Sequence, residues 1–279
     1  MAEASEKRVC LVTGASSGIG AAVVLRLHAA GWHVAFTGRR EERLAALAQA
    51  LDPTGERVLP LPGDVRNESD RERWVEATLA KWGRIDVLVN NAGYAQRGPV
   101  EAVPLERMRR NFETNVFAAV GLAQLVIPRM RRQKGGRIIN IGSVAGRIAR
   151  PYSAIYDATK HALNAFSDGL RGELAADDID VVVIEPGYIM TEFLEASQAA
   201  SGELATTDAG WARLQEKYER AKRFGGAPDD IARLVERAAT VPRPRSRYAG
   251  PGHAKVLLFL RWLLPDRAFD WLLGVRRRR

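Results

Sequence analysis

The sequence predicts an α/β fold, a single-domain doubly wound parallel sheet with helices on both faces. Three observations predict it. Apolar runs of strand length alternate with amphipathic stretches of helix length down the chain, the pattern of a parallel sheet with helical crossovers. The first apolar run, Val9 to Val12, passes through a glycine-rich turn straight into a helical stretch. The 279 residues carry no internal repeat and no low-complexity linker, and that length suits one large α/β domain.

The glycine turn comes first. Thr13-Gly14-Ala15-Ser16-Ser17-Gly18-Ile19-Gly20 joins the first strand to a helix beginning Ala21-Ala22-Val23-Val24-Leu25. Its three glycines let the backbone turn sharply and close on a ligand where a side chain would clash. The helix behind them aims free N–H groups and its positive dipole end at the turn, and a phosphate is the natural occupant. The spacing G-x-x-x-G-x-G differs from the general dinucleotide fingerprint, G-x-G-x-x-G. Strand before and helix after still meet the structural requirement of a Rossmann-type site.

Residues 33–37 form the second strand, and 41–51 a helix broken by Pro53 and Gly55. A third strand, 58–61, runs into Gly63-Asp64-Val65. Ser69, with Glu72 three residues on, reads as a capping box opening a helix to about Trp82. The fourth strand, 87–89, enters Asn90-Asn91-Ala92-Gly93. Residues 104–132 read as one long helix, or two meeting near Asn115, stopped by Gly135-Gly136. A fifth strand over 137–142, a helix over 154–175 and a sixth strand over 181–184, closed by Pro186-Gly187, continue the alternation.

Ligands of such sheets lie off the carboxyl ends of the strands. That rule makes Thr13, Gly38, Asp64, Asn91, Ser143 and Gly187 neighbours of one crevice. Residues 192–226 are rich in Ala, Ser, Gly and Thr before a charged helix near 211–222. An insertion at this end of a strand reads as a substrate lid. A further helix spans 228–239. The dinucleotide-binding and catalytic domain thus covers 1–250, and 251–279 form an apolar, basic C-terminal extension.

Composition narrows the function classes. The chain is 46% hydrophobic and carries a formal net charge of +9, to which Arg276 to Arg279 contribute four. No helix-turn-helix, zinc-finger or RNA-binding signature accompanies the charge, so nucleic acid is not the expected partner. His28, His33, His161 and His253 lack metal-ligand spacing, and no metal is expected. Cys10, the single cysteine, reads as a small buried hydrophobe, and the polar N-terminus has no secretory core behind it. A cytoplasmic location is the expectation.

An NAD site places an acidic residue at the end of the second strand, about 20 residues past the glycines, to hold the ribose hydroxyls. Here Thr37-Gly38 stand there and Arg39-Arg40 follow. Two guanidiniums in place of a carboxylate suit a 2′-phosphate, so NADP(H) is expected over NAD(H). The alternative makes Arg39 and Arg40 surface charges that open a helix and pair with Glu41 and Glu42. The helix dipole disfavours cations there.

Tyr156 and Lys160 lie four apart, on one helix face. A phenol titrates near about 10, and a neighbouring ammonium favours the phenolate. The tyrosine can then give a proton to a carbonyl oxygen or take one from an alcohol. Tyr218 and Lys222 share the spacing but fall in the expected lid, whereas Tyr156 follows the fifth strand and Ser143.

These motifs carry a resemblance. The glycine turn, Asn90-Asn91-Ala92-Gly93, Ser143, Tyr156-Asp157-Ala158-Thr159-Lys160 and Pro186-Gly187 occur in the order and spacing of the short-chain dehydrogenase/reductase family. Over roughly residues 8–240 the chain resembles that family. The resemblance implies hydride transfer between a nicotinamide and an alcohol or ketone carbon. It implies Tyr156 as acid/base, with Lys160 lowering its pKa and holding the nicotinamide ribose. Ser143 would bond the substrate oxygen, and Asn115, in Asn111-Phe112-Glu113-Thr114-Asn115, would hold a proton-relay water.

The cofactor would lie against Gly14, Ser16, Ser17, Gly18, Ile19 and Gly20, with Arg39 and Arg40 at its 2′-phosphate. The same resemblance puts Asp64 and Val65 on the adenine, and Asn91, beside Ala92 and Gly93, on the adenosine ribose. Ile189 and Thr191, after Pro186-Gly187, would lie near the carboxamide. It also implies a homodimer or homotetramer paired through the helices bearing Asn115 and Tyr156.

In the extension, residues 255–264 are strongly apolar, Pro265 interrupts, and Phe269, Trp271, Leu272 and Leu273 precede the four arginines. The run is too short and broken to span a membrane. Three readings stay open: a core or pocket-closing helix, an oligomer contact, or peripheral contact with an anionic membrane through Trp262, Trp271 and the arginines. So apolar a tail suits a lipophilic substrate. Two other classes stand beside the enzyme: a cofactor-binding scaffold without turnover, and a basic surface-binding protein working through the arginines. A scaffold needs only the glycine turn, and the full Asn115, Ser143, Tyr156 and Lys160 set argues against it.

Overall fold

The computed structural model describes residues 7–201, 210, 211, 216 and 225–273. Among them, seven parallel strands form one sheet in the order β3-β2-β1-β4-β5-β6-β7. They are β1 (Val9–Val12), β2 (His33–Gly38), β3 (Val58–Pro62), β4 (Val87–Asn90), β5 (Gly136–Ile141), β6 (Ile179–Pro186) and β7 (Arg247–Gly250). The winding reverses between β1 and β4, and a crevice opens at their carboxyl ends.

Both faces of the sheet are covered, which is why its strands read as unbroken apolar runs. On one face α1 (Gly18–Ala29), α2 (Glu41–Leu51) and α8 (Pro228–Thr240) pack Val23, Leu27, Leu44 and Val235 against Val12, Phe36, Ile139 and Ile184. On the other, α3 (Glu68–Trp82), α5 (Ala118–Arg132) and α6 (Ala154–Glu173) pack Trp74, Leu122, Val126 and Leu170 against Leu11, Ala35, Leu88 and Ile138. Adjacent residues such as Leu11 and Val12 thus serve opposite layers, as strand geometry demands. Arg26 clamps α1 to α8, its Nε and Nη2 each 2.9 Å from Asp229 and its Nη1 3.0 Å from Glu236.

Two local readings are corrected, and of two alternatives for residues 104–132 the second holds. The sheet has a seventh strand, β7, that the sequence did not disclose. Its four residues pair with 183–186 of β6, and Arg247 is tied to Glu185 at 3.1 Å and to Asp168 at 2.5 Å. An edge strand of this composition, Arg-Tyr-Ala-Gly, has no apolar run to betray it. Ser69 does not cap α3, which starts one residue earlier behind Asn67. The first-turn carboxylate of Asp70 instead accepts the Asp64 N–H at 2.9 Å, closing the loop after β3. The stretch ending at Arg132 is two helices, α4 (Leu105–Phe112) and α5, joined by a π-turn over Glu113–Phe117.

Beyond β6, α7 (Phe193–Ser201) begins the expected lid. Most of 202–224, with Tyr218 and Lys222, lies outside the described residues, as do Arg276 to Arg279. β7 leads into α9 (Gly252–Leu263) and α10 (Asp266–Leu273). Among the described residues no helix is long and apolar enough to cross a membrane.

A buried polar chain fixes α6 against the sheet. The Asn90 amide donates to Asn140 Oδ1 across the β4–β5 register at 2.9 Å, and the Asn140 amide donates to Ser167 Oγ at 2.8 Å. Removing the middle member leaves the Asn90 amide with a 3.4 Å bond to the Ala119 carbonyl and Ser167 with its bond to Leu163, and breaks the link between sheet and helix. Asn140→Ala should therefore cost about 2–4 kcal/mol in urea unfolding; a loss under about 0.5 kcal/mol would show that the chain carries no stability.

Candidate active site

A cleft of about 840 Å³ lies along the carboxyl ends of the strands. Gly14, Ser16, Ser17, Gly18, Ile19, Arg39, Arg40, Asp64, Val65, Asn91, Ala92 and Gly93 line one part of it. Ser143, Tyr156, Lys160, Pro186, Gly187, Ile189 and Thr191 line the rest. Gly20 and Asn115 are the two candidates that stand behind its wall rather than in it.

The turn is locked to the end of β4. Thr13 Oγ1 accepts the Asn91 and Ala92 N–H groups at 2.9 and 3.0 Å, and the Asn91 amide donates back to the Thr13 and Gly14 carbonyls at 2.8 and 3.2 Å. Glycine is required by this closeness. Gly14 sits at φ +68°, and a Cβ there would stand 2.8 Å from Ala92 Cα. A Cβ on Gly20 would stand 2.6 Å from Asn91 Nδ2. No acidic residue occupies the first turn of α1, so the amides and dipole at the turn face the cleft without a competing carboxylate. The cradle fits a pyrophosphate.

The two arginines part company. Arg39 is exposed at the cleft, and no described residue bonds its guanidinium. Arg40 is braced, donating to Ser17 Oγ at 2.7 Å, to Ser16 Oγ at 3.1 Å and to Glu192 at 2.7 Å. Arg43 holds the same carboxylate at 2.7 Å. The partner of Arg40 is therefore Glu192 at the entry to α7, rather than Glu41 or Glu42. Hydrogen bonds from Arg40 and Arg43 hold the Glu192 carboxyl down at about 2. No sequence signal singled out Glu192, because the pair spans 152 residues.

Ser143 lies two residues past the end of β5 and caps the short turn that follows, accepting the Ala145 N–H at 3.1 Å. Tyr156, 6% exposed, stacks edge-on to Phe193 with ring centres 5.8 Å apart. Lys160 is buried, and its Nζ donates to the Ile141 carbonyl at 2.8 Å while standing 5.9 Å from the Tyr156 ring centre. Burial pulls the Lys160 ammonium down to about 8.

The expectation that Lys160 lowers the Tyr156 pKa is not met in this state. Burial pushes the phenol up, and the main groups opposing it are Arg150, the Ser143 hydroxyl and Arg97. The reason is the burial of the phenol, which outweighs the charges around it, while the Lys160 Nζ is bonded to a backbone carbonyl.

Asn115 sits in the π-turn, a feature that recurs at functional positions in helices. Its side chain is spent on Tyr94, bonding its N–H at 3.1 Å and its carbonyl at 2.9 Å, and on Thr159 Oγ1 at 2.9 Å. Beside it lies a cavity of about 10 Å³ bounded by Asn90, Asn115, Ile141 and Lys160, room for one water. Asn90 Oδ1 is buried there without a protein partner.

Sequence reasoning missed three further groups at the cleft. Arg97 is buried at its wall, and Arg150 is forked onto the buried Asp157 at 2.6 Å. His253 of α9 accepts the Tyr188 N–H at 2.9 Å, bringing the C-terminal extension to the cleft together with Leu257.

A glycine cradle at the switch point of a parallel sheet, with a buried tyrosine and lysine in the same cleft, defines a dinucleotide-dependent oxidoreductase fold. The chain belongs to the short chain dehydrogenase family, whose model matches residues 8–202. It is 32% identical over 269 residues to an NADPH-dependent 3-dehydrocapnine reductase of Ornithobacterium rhinotracheale, covering 94% of this chain and 95% of that protein. A short-chain dehydrogenase from Streptomyces avermitilis superposes with a TM-score of 0.81 at 30% identity, over 98% of this chain and 97% of that one. A closed serine dehydrogenase complexed with NADP+ gives 0.76 at 32% identity, over 87% and 94%.

The buried ammonium makes a stability prediction. Below about 8 Lys160 is charged in both folded and unfolded chains, and folding bears the full cost of burying it. Between about 8 and the unfolded value the native lysine loses its proton first, so the cost falls as pH rises. Lys160→Met should stabilise the fold by about 3 kcal/mol near neutrality, with the gain shrinking in alkaline buffer. Denaturant melts across that range check it; a gain that grows with pH would contradict the assignment.

Proposed function

We propose that the protein transfers a hydride between NADP(H) and a secondary alcohol, ketone or aldehyde carbon, with Tyr156 as the acid/base. The observation that carries the reading is the meeting of the glycine cradle with Ser143, Tyr156 and Lys160 in one cleft. NADP(H), when bound, supplies or accepts the hydride. The protein's own work is proton movement and positioning.

Tyr156 holds the proton that passes to or from the substrate oxygen, and Ser143 Oγ donates a hydrogen bond to the same oxygen. Lys160 would hold the nicotinamide ribose, and its ammonium, drawn from the Ile141 carbonyl toward the phenol, would favour the phenolate. A water in the cavity beside Asn115, accepted by Asn90 Oδ1, would connect Lys160 to the interior. With its side chain occupied by Tyr94 and Thr159, Asn115 acts by shaping that cavity from the π-turn.

The guanidinium of Arg39, which no described residue bonds, and the absence of a carboxylate at Gly38 support a 2′-phosphate. The NADPH dependence named for the Ornithobacterium reductase and the NADP+ of the serine dehydrogenase structure agree with that preference. The adenine would lie against Asp64 and Val65, its ribose near Asn91, and the carboxamide near Ile189 and Thr191. Phe193, Ala196, Ala199 and Ala200 of α7, with Leu257 of α9, give the substrate end an apolar wall. That wall supports a lipophilic substrate and a lid role for the segment that α7 opens. We place the protein in the cytoplasm as a homo-oligomer.

A panel of carbonyls and alcohols, followed by absorbance of the reduced nicotinamide, tests the reaction class. Tyr156→Phe should lower turnover by about 10²- to 10⁴-fold and leave cofactor affinity nearly unchanged; full activity in the variant would end the acid/base assignment. Arg39→Ala should weaken NADPH by about 10- to 100-fold and barely change NADH. Equal losses for the two cofactors would mean that Arg39 does not read the 2′-phosphate.

A further inference from the structure

α9 and α10 are each held to the body along one side. Ala254 of α9 is fully buried, His253 and Leu257 line the cleft, and Phe269 anchors α10 at 3% exposure. The other side is apolar and open. Val256, Phe259 and Leu263 recur on one face of α9, with Trp262 flanking them and Trp271 and Leu272 following on α10. Trp262 is 79% exposed and Trp271 72%. No described residue covers them, and a contiguous face of this kind marks an interaction site.

Charge selects the occupant. Residues 251–279 hold seven Lys or Arg against two Asp, so five of the chain's nine net positive charges sit in its last tenth. A second copy laid on this face would set that surplus against itself. An anionic bilayer satisfies both halves of the surface, taking indole rings into its headgroup layer and cations onto its phosphates. The helices, of 12 and 8 residues bent at Pro265, are long enough to lie in an interface and too short to cross it.

We propose that α9 and α10 dock the protein on an anionic lipid surface, with Trp262 and Trp271 seated among the headgroups. His253 and Leu257 on the same helix border the cleft. Docking therefore sets the cleft beside the lipid, and its substrate is drawn from the bilayer, a consequence that rests on the oxidoreductase reading above.

Flotation of the full chain with vesicles of equimolar phosphatidylglycerol and phosphatidylcholine, against phosphatidylcholine alone, tests the docking. The protein should float with the anionic vesicles, remain in solution with the neutral ones, and be released by high salt. Replacing both tryptophans, Trp262→Ala with Trp271→Ala, should lower vesicle binding by about tenfold or more. Turnover of a water-soluble carbonyl should be unchanged in that variant.

No flotation on anionic vesicles, equal flotation on both kinds, or a double variant that floats like its parent would each overturn the proposal. So would a dimer that dissociates on the double substitution, since the face would then serve a second copy. Tyr156→Phe should float as the parent does, so lipid docking and catalysis fail separately.

Discussion

The burial of one ammonium is the constraint around which the rest of the site is built. Lys160 is 5% exposed and has a single carbonyl, that of Ile141, to accept its charge. A cation so placed is costly. It stays because α6 is held on two sides. The Asn90–Asn140–Ser167 chain bonds α6 to β4 and β5, and Asn115 reaches from the π-turn to Thr159, one residue before the lysine. A regular helix through 113–117 would move Asn115 off this register, which gives the π-turn its purpose. Stability is spent on a group the fold does not need, the usual sign of a site under functional demand.

The cleft divides by chemistry along its length. At the glycine turn the ligand end is mostly donors: backbone amides, Ser16, Ser17 and two guanidiniums, beside the Glu192 carboxylate that bridges Arg40 and Arg43 and the Asp64 carboxylate held by Arg66. In the middle, the Tyr156 phenol is buried and pushed up while the Lys160 ammonium is pulled down to about 8, two opposed shifts that move their proton affinities apart and leave the lysine the readier of the two to give up its proton. At the far end α7 and α9 supply Phe193, the alanines and Leu257, an apolar wall whose outer surface is continuous with an exposed aromatic face. Donors, proton exchange and grease follow one another in the order a dinucleotide and a lipophilic alcohol would require.

Much of this was legible in the chain because it was written locally. The first six strands announce themselves as apolar runs, and the glycine turn, Asn91 and the Tyr156–Lys160 pair lie at strand ends or one helical turn apart. What stayed hidden depends on distant partners. β7 is a strand only because β6 pairs with it. Glu192 meets Arg40 across 152 residues, and Arg97 and His253 reach the cleft from segments with no motif of their own. The direction of the Tyr156 shift was misread for the same reason. Spacing put a lysine beside a tyrosine, while the burial that raises the phenol and the carbonyl that holds the ammonium are supplied only by the fold.

The central claim is that Tyr156 and Lys160 form the reacting end of a nicotinamide site in this cleft. A crystal structure with NADP+ bound tests it most directly. The account predicts the adenosine phosphate against Arg39, the pyrophosphate over the glycine turn, and the nicotinamide riboside within hydrogen-bond reach of Lys160 Nζ and the Tyr156 hydroxyl. A nicotinamide ring lying away from Tyr156, with the phenol closed off behind Phe193, would contradict it.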